Sequence, residues 1–254
     1  MVDLADFISA HKMKLRYLYR TFKARYRDEK SELAAALTAI RPGDTVADIG
    51  ANKGSYLYWL QKAVGPDGKV FAYEPQPKLV RYLGSVRAAL RWENVSIRDC
   101  ALSDTTGTAR LNVPGAGDSP EASLETAITT AAACQQYECR VDTLDRQLGG
   151  EARISLLKMD VEGHELNVFR GAQEILKRQA PVLLFECEAR HLRAHTMADV
   201  FDFLKSFGYA GKFFSPAGLR PLAEFDPAQH QKNNGDRFWD APDYCNNFLF
   251  TPEK

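Results

Sequence analysis

The stretch Thr45-Val-Ala-Asp-Ile-Gly50-Ala-Asn-Lys-Gly54-Ser55 constrains the fold of this chain more than any other. Aliphatic and β-branched residues predict a strand over Thr45–Ile49, and helical periodicity predicts a helix over Ser55–Val64. A turn containing two glycines joins them. A strand that feeds a helix through a glycine turn is half of a βαβ unit, so the chain is committed to a parallel sheet covered by helices. Glycines at such a turn let a ligand approach the backbone, and the helix N-terminus offers unpaired N–H groups.

The same alternation continues. Strands are expected over Lys69–Tyr73, Val95–Asp99, Arg153–Met159 and Val182–Phe185, with helical faces at Leu79, Leu83, Val86 and Leu90, and at Phe169, Ala172 and Ile175 or Leu176. The aliphatic density of the last two strands fits burial on both sheet faces. A later helix carries Val200, Phe201, Leu204 and Phe207, and Tyr209–Phe214 and Tyr244–Phe250 supply two closing strands. The expected fold is Rossmann-like α/β, a mostly parallel sheet with helices on both faces. Two stretches without periodicity, Asn112–Glu138 and Pro216–Pro242, are expected as long loops, which in a compact domain usually serve as lids.

Charge separates the first 41 residues, an N-terminal helical extension, from a main domain over 42–254. Residues 11–30 hold eight basic side chains against Asp28 and Glu29, a local net of +6, while the 254-residue chain is neutral overall. The stripe Leu15, Leu18, Tyr19, Phe22 and Tyr26 is expected to pack on the main domain and leave the charges in water, with recruitment of an anionic substrate or surface as the sharper alternative. Neutrality overall argues against nucleic acid as a partner. The uncharged run Thr126–Tyr137 is 12 residues long, too short and polar to span a bilayer. Five scattered cysteines without a C-x-x-C pair, and an N-terminus lacking a basic head before an apolar core, fit a cytoplasmic protein with free thiols.

The glycine turn does not spell the dinucleotide fingerprint, because positions 50, 52 and 55 are Gly, Asn and Ser. The spacing Asp48-x-Gly50-x-Asn52-x-Gly54 suits a ligand with a cationic amine and sulfonium and no pyrophosphate. Twenty residues after Gly54, Glu74 ends the next strand, where a carboxylate can accept both hydroxyls of an adenosine ribose. Either acid alone could be a solvated loop carboxylate. Together with the turn they point to S-adenosylmethionine.

Four blocks then carry a resemblance to the FkbM-type S-adenosylmethionine-dependent methyltransferases: Asp48-Ile-Gly-Ala-Asn-Lys-Gly54, Glu74-Pro75, Ala101-Leu-Ser-Asp104, and Leu157-Lys-Met-Asp160-Val-Glu162-Gly163-His164-Glu165. The likeness covers roughly residues 42–190. It implies a seven-stranded sheet and methyl transfer to oxygen, commonly on a hydroxyl of a sugar or other natural product. By position, Asp48, Gly50, Asn52 and Gly54 would line the methionine end of the donor and Glu74 its ribose. Asp99, Cys100, Ala101 and Ser103 would lie beside the adenine, and Asp160 nearest the transferred methyl.

The chemistry points to the same residues. Sulfonium methyl transfer is an in-line displacement, so the protein must align the acceptor and take its proton. Asp160 and Glu186 are the favoured groups at the acceptor, with His164 as a proton carrier. Glu162 and Glu165 stand where acids stabilise a helix N-terminus whatever the function. Alternatively Asp160, Glu162 and Glu186 hold a divalent cation, joined by His191 and His195 if these share a helix face. Rival functions are a nucleic-acid methyltransferase guided by the basic segment and a non-catalytic donor binder. Against the first, Asp160-Val-Glu-Gly stands where base-methylating enzymes carry an Asn/Asp-Pro-Pro-aromatic motif.

Overall fold

Apolar runs hydrogen-bonded on both edges build the centre of the protein. In the structure, a computed structural model that describes residues 4–115, 117–125, 134–235 and 237–253, β1 (Thr45–Ile49) is buried along its whole length. It is flanked by β2 (Lys69–Tyr73) and β7 (Ile154–Met159), both parallel to it. Outside these lie β3 (Val95–Arg98) on one side and β8 (Val182–Glu186) on the other, also parallel. The sheet closes with β11 (Asn247–Pro252), β9 (Tyr209–Ser215) and β10 (Gly218–Pro221), all antiparallel, in the order β10-β9-β11-β8-β7-β1-β2-β3. Between β1 and β7 the chain order reverses, and the crevice beyond the carboxyl ends of such strands is where open α/β sheets bind ligands.

Eight strands stand where seven were expected. The extra one is β10, which Pro216–Ala217 fold back onto β9 from inside a stretch read as loop. The Asn112–Glu138 stretch is likewise not all loop. β5 (Gly107–Pro114) and β6 (Cys134–Asp142) pair antiparallel over their lengths, with β4 (Ala101–Leu102) alongside, as a second, three-stranded sheet. Its outer residues are polar and exposed, so the alternation that marks a half-buried strand is confined to a few positions. Residues 126–133 lie outside the described residues.

Helices cover both faces: α3 (Leu57–Val64) and α4 (Pro77–Leu90) on one, α5 (Leu144–Leu148), α6 (Glu165–Arg170), α7 (Gln173–Arg178) and α8 (Met197–Ser206) on the other. A single helix was expected over the stretch that forms α6 and α7. It breaks at Gly171, where a Cβ would lie 2.0 Å from the Ser103 carbonyl oxygen. The core beneath α8 is aromatic, with the rings of Phe185, Phe201, Phe248 and Phe250 packed together and Phe213 joined to them through Phe225, and truncating one such buried ring to Ala typically costs ~3–5 kcal/mol.

The N-terminal layer departs most from expectation. α1 (Leu4–Lys23) runs through a π-helical turn, Ala24–Asp28, into α2 (Lys30–Thr38). The face that packs on the domain is Tyr17, Thr21 and Ala24. The Tyr17 hydroxyl donates to the Gly54 carbonyl (3.0 Å), and the Trp59 indole N–H donates to the Thr21 carbonyl (2.9 Å). Of the five residues read as the packing stripe, only Leu18 is packed against the core, while Leu15, Tyr19, Phe22 and Tyr26 are exposed. Two specific side chain–backbone hydrogen bonds, invisible to periodicity, select the docking face.

Candidate functional site

The carboxyl ends of β1 and β7 touch. Gly50 (φ +73°) needs to be glycine, because a Cβ there would lie 1.8 Å from the Asp160 carbonyl oxygen, and the Asp160 N–H donates to the Ile49 carbonyl (2.9 Å). Asn52 also adopts a left-handed φ of 47°, which aims its N–H at Glu74 Oε2 (2.8 Å), while the Gln76 N–H donates to Oε1 (2.9 Å). Glu74 is thereby fixed at the end of β2, and its burial pushes its pKa up to about 7 against those two hydrogen bonds.

Around this turn lie two cavities. The first is mainly apolar in its lining. Gly50, Asn52 and Glu74 form its floor, Cys100, Ala101 and Leu102 one wall, and Leu111, Pro120, Ser123 and Leu124 its roof. Side chains on the body hold that roof down. The Gln76 and Ser119 groups exchange two hydrogen bonds (2.9 and 3.1 Å), Lys53 pairs with Asp118 (3.0 Å), and Ser123 donates to the Glu162 carbonyl (2.8 Å). His164 bridges Ser103 Oγ through Nε2 (2.8 Å) and Glu125 Oε1 through Nδ1 (2.7 Å).

The second cavity is charged. Asp48, Lys158, Asp160 and Glu186 face it from the ends of β1, β7 and β8, and Arg20 and Glu29 reach it from the N-terminal helices. Lys158 Nζ lies 3.4 Å from Asp48 Oδ1 and 3.9 Å from Asp160 Oδ2, above the Tyr56 ring. Burial opposes the lysine's charge, but Asp48, Asp160, Glu29 and Glu186 outweigh it and hold the ammonium's pKa above its ordinary value. Burial likewise raises the pKa of Asp48, with Lys158 pulling against it. It raises Glu186 well above the carboxylate range, reinforced by Asp160 and Glu162. Asp160 Oδ1 is buried without a hydrogen-bond partner. Gly50, Asn52, Pro120 and Asp160 line both cavities, so the two adjoin at these residues.

Most sequence-identified residues converge here. Asp48, Gly50, Asn52, Glu74, Cys100, Ala101, Asp160, His164 and Glu186 line one cavity or both. Three do not. Asp99 is exposed and outside both linings. Ser103 lies behind the wall, bound to His164. Gly54 (φ +73°) packs where a Cβ would meet Leu83 at 2.9 Å. His164 sits on the first cavity as a roof clasp, away from the second. The carboxylates of Asp160, Glu162 and Glu186 come within 4.8 Å of one another. The chain around His191 and His195 is a turn and bend rather than a helix, and only His191 reaches this group, 2.7 Å from Glu162. Gly163 is required because a Cβ there would lie 2.6 Å from the His191 carbonyl oxygen, so part of the Asp160-Val-Glu-Gly signature serves packing. Glu165 Oε1 accepts the Gly163 N–H (2.9 Å), which caps the turn into α6.

Residues not identified from sequence are Lys158, Tyr56, Glu29 and Arg20. Lys158 was legible, as one charge inside an apolar strand. Glu29 was not, since the π-helical turn before it sets its direction; π-turns of this kind recur at functional sites.

Residues 48–210 match the family model described as the methyltransferase FkbM domain. No curated protein matches the sequence. Among solved structures the chain is similar to a methyltransferase FkbM from Methylobacillus flagellatus KT, at 16% identity and a TM-score of 0.52, covering 94% of this chain and 54% of that one. The chain thus spans about half the length of that relative. It is also similar to a SAM-dependent methyltransferase from Aquifex aeolicus (17% identity, 94% and 97% covered, TM-score 0.45). A third likeness is to a SAM-dependent O-methyltransferase from Thermotoga maritima (16% identity, 90% and 66% covered, TM-score 0.47).

Proposed function

Given that this chain belongs to the FkbM methyltransferase family, we propose that it transfers the methyl group of S-adenosylmethionine to a hydroxyl of a small molecule or glycan in the cytoplasm. The observation that carries this reading is the position of Asp160, which lines both an apolar, roofed cavity and a charged one beside it. The first suits an adenosine, with Glu74 taking the ribose hydroxyls. Asp48, whose Oδ1 has no hydrogen bond, takes the α-amine at the turn. The bound donor supplies an electrophilic methyl on a sulfonium.

The protein's own part is alignment and proton removal. Asp160 Oδ1 accepts the acceptor's hydroxyl proton as the new C–O bond forms and the S–C bond breaks. Lys158, held charged beside it, donates to the acceptor oxygen while negative charge develops there. Glu186, whose pKa burial and the neighbouring Asp160 and Glu162 raise well above its ordinary value, hydrogen-bonds the acceptor. Because Lys158 already supplies the positive charge, transfer is expected to persist in a chelator. A nucleic-acid acceptor fits less well, since the four acids Asp48, Asp160, Glu29 and Glu186 line the second cavity against Lys158, Arg20 and Lys53, which leaves no cationic excess to hold a phosphate backbone.

Calorimetric titration with S-adenosylmethionine and S-adenosylhomocysteine, with and without magnesium, tests the donor site. We expect one-to-one binding that Asp48→Ala or Glu74→Ala weakens by about tenfold or more, the scale of one lost charge-assisted contact. Well-folded protein that binds neither compound would overturn the reading. Transfer that requires magnesium would reassign Asp160, Glu162 and Glu186 to a cation.

A further inference from the structure

The helix face expected to be buried is the one left in the open. Leu15, Tyr19 and Tyr26 are 67%, 69% and 63% exposed and Phe22 is 43% exposed, all along one side of α1 and its π-turn. Helical spacing stacks these four into a continuous ridge. Phe22 and Tyr26 extend it onto α3, with ring centroids 5.1 and 6.0 Å from Trp59, which itself contacts Tyr58 at 5.0 Å. Soluble chains rarely leave so contiguous an apolar patch uncovered without a use for it.

Beside the ridge, helical spacing places a second one, Lys12, Arg16, Lys23 and Arg27, on the next strip of α1 and its π-turn. Lys23 and Arg27 pair with Asp28, each at 2.9 Å. Among the described residues, Lys12 and Arg16 form no ion pair. Cations beside aromatic and aliphatic residues on one helix match the layering of a bilayer interface, where phosphates lie above the acyl boundary. No helix of the described residues is long and apolar enough to cross a membrane, so such a helix would lie on one.

We propose that α1 and its π-turn dock this protein onto an anionic lipid surface, with Leu15, Tyr19, Phe22 and Tyr26 entering the headgroup region and Lys12 and Arg16 facing lipid phosphates. Charge decides against a second copy of the chain, since a symmetric contact would set these unpaired cations against their counterparts. It does not decide against RNA, but a phosphate backbone would leave Leu15, the aliphatic residue of the ridge and 67% exposed, without a partner. Docking would also bring the surface close to the charged cavity, because Arg20 on the same helix lines it.

Sedimentation of the full chain with vesicles of phosphatidylcholine alone, and of phosphatidylcholine mixed with phosphatidylserine, tests this independently of any methyl transfer. Binding is expected to the mixed vesicles only and to weaken as salt shortens the Debye length. A Lys or Arg near an anionic surface contributes ~1 kcal/mol, about fivefold in partitioning, so K12A/R16A should weaken binding by about 25-fold. L15A/Y19A should weaken it by at least tenfold, with thermal unfolding of both variants unchanged because these side chains touch no core. Three results would overturn the proposal: no binding to mixed vesicles, binding that survives both double substitutions, or a dimer in solution that L15A/Y19A converts to monomer. Tighter binding to an oligouridylate, competed by no vesicle, would assign the face to nucleic acid instead.

Discussion

The two cavities that meet at Asp160 are held together by different forces. In the first, the acid and the imidazole that face inward are already fixed, Glu74 by two backbone N–H groups and His164 by Ser103 and Glu125. In the second, one ammonium is shared among four carboxylates, and Asp48 and Asp160 each keep an oxygen without a hydrogen bond. A site that must recognise one constant molecule can be fixed in advance, and rigid placement lowers the ordering cost of binding. A site where charge moves during reaction needs groups whose protonation is poised, and crowding carboxylates around a buried lysine poises them. The first cavity therefore reads as recognition and the second as chemistry.

The sharpest way to break that division is Asp160→Asn. The substitution keeps size and hydrogen bonding but removes the base, so kcat should fall by ~10²–10⁴, the usual contribution of general-base catalysis, while donor affinity changes only a few-fold. Lys158→Met in parallel should lower kcat and also weaken donor binding, since Asp48 is more readily protonated once its counter-charge leaves. Single-turnover rates together with donor titrations separate the two effects. If Asp160→Asn weakened donor binding as much as it slowed transfer, Asp160 would belong to recognition and the division would fail.

A smaller effect is expected at the roof. His164→Ala removes the bridge from Ser103 to Glu125 and frees one end of the segment over the first cavity. Donor dissociation should accelerate by about tenfold, in line with the loss of ~1–2 kcal/mol from a charge-assisted contact, and kcat on saturating donor should hardly change. Stopped-flow dissociation of S-adenosylhomocysteine measures it. A collapse of kcat with unaltered dissociation would return His164 to the role of proton carrier that its sequence position suggested.

The same two regions explain what the sequence disclosed. Floor residues were legible because a close backbone approach forces them: Gly50 against the Asp160 carbonyl leaves one residue type, and Asp48 and Glu74 end strands whose aliphatic pattern is plain. The roof was not legible, since β5 and β6 are a largely exposed hairpin whose hold on the body consists of single contacts such as Gln76–Ser119. α1 misled for a related reason. Aromatic residues encircle it, and the choice of face was made by the Gly54 and Thr21 carbonyls, which no periodicity records. Local pattern is informative where burial is continuous, and it fails where an element is held at a few points.

The smallest expected effect concerns a buried acid that lines neither cavity. Glu165 is 1% exposed, and burial pushes its pKa up to about 8, as it pushes Glu74 and Glu162 to about 7. In the unfolded chain all three titrate near ~4.3. Between that value and about pH 8 the folded protein therefore holds more protons than the unfolded one. Stability is then fully present below the unfolded pKa and declines as pH rises through the folded values. The melting temperature of the ligand-free protein should thus fall from about pH 5 to about pH 8. Glu165→Gln keeps an oxygen for the Gly163 N–H and removes one of the three titrations, so it should flatten the upper part of that decline and leave donor affinity unchanged. Thermal melts across pH, with a donor titration at each end, check both. An unflattened slope would place the pH dependence in Glu74 and Glu162, at the cavities themselves, and donor binding at high pH would then be expected to recover the lost stability.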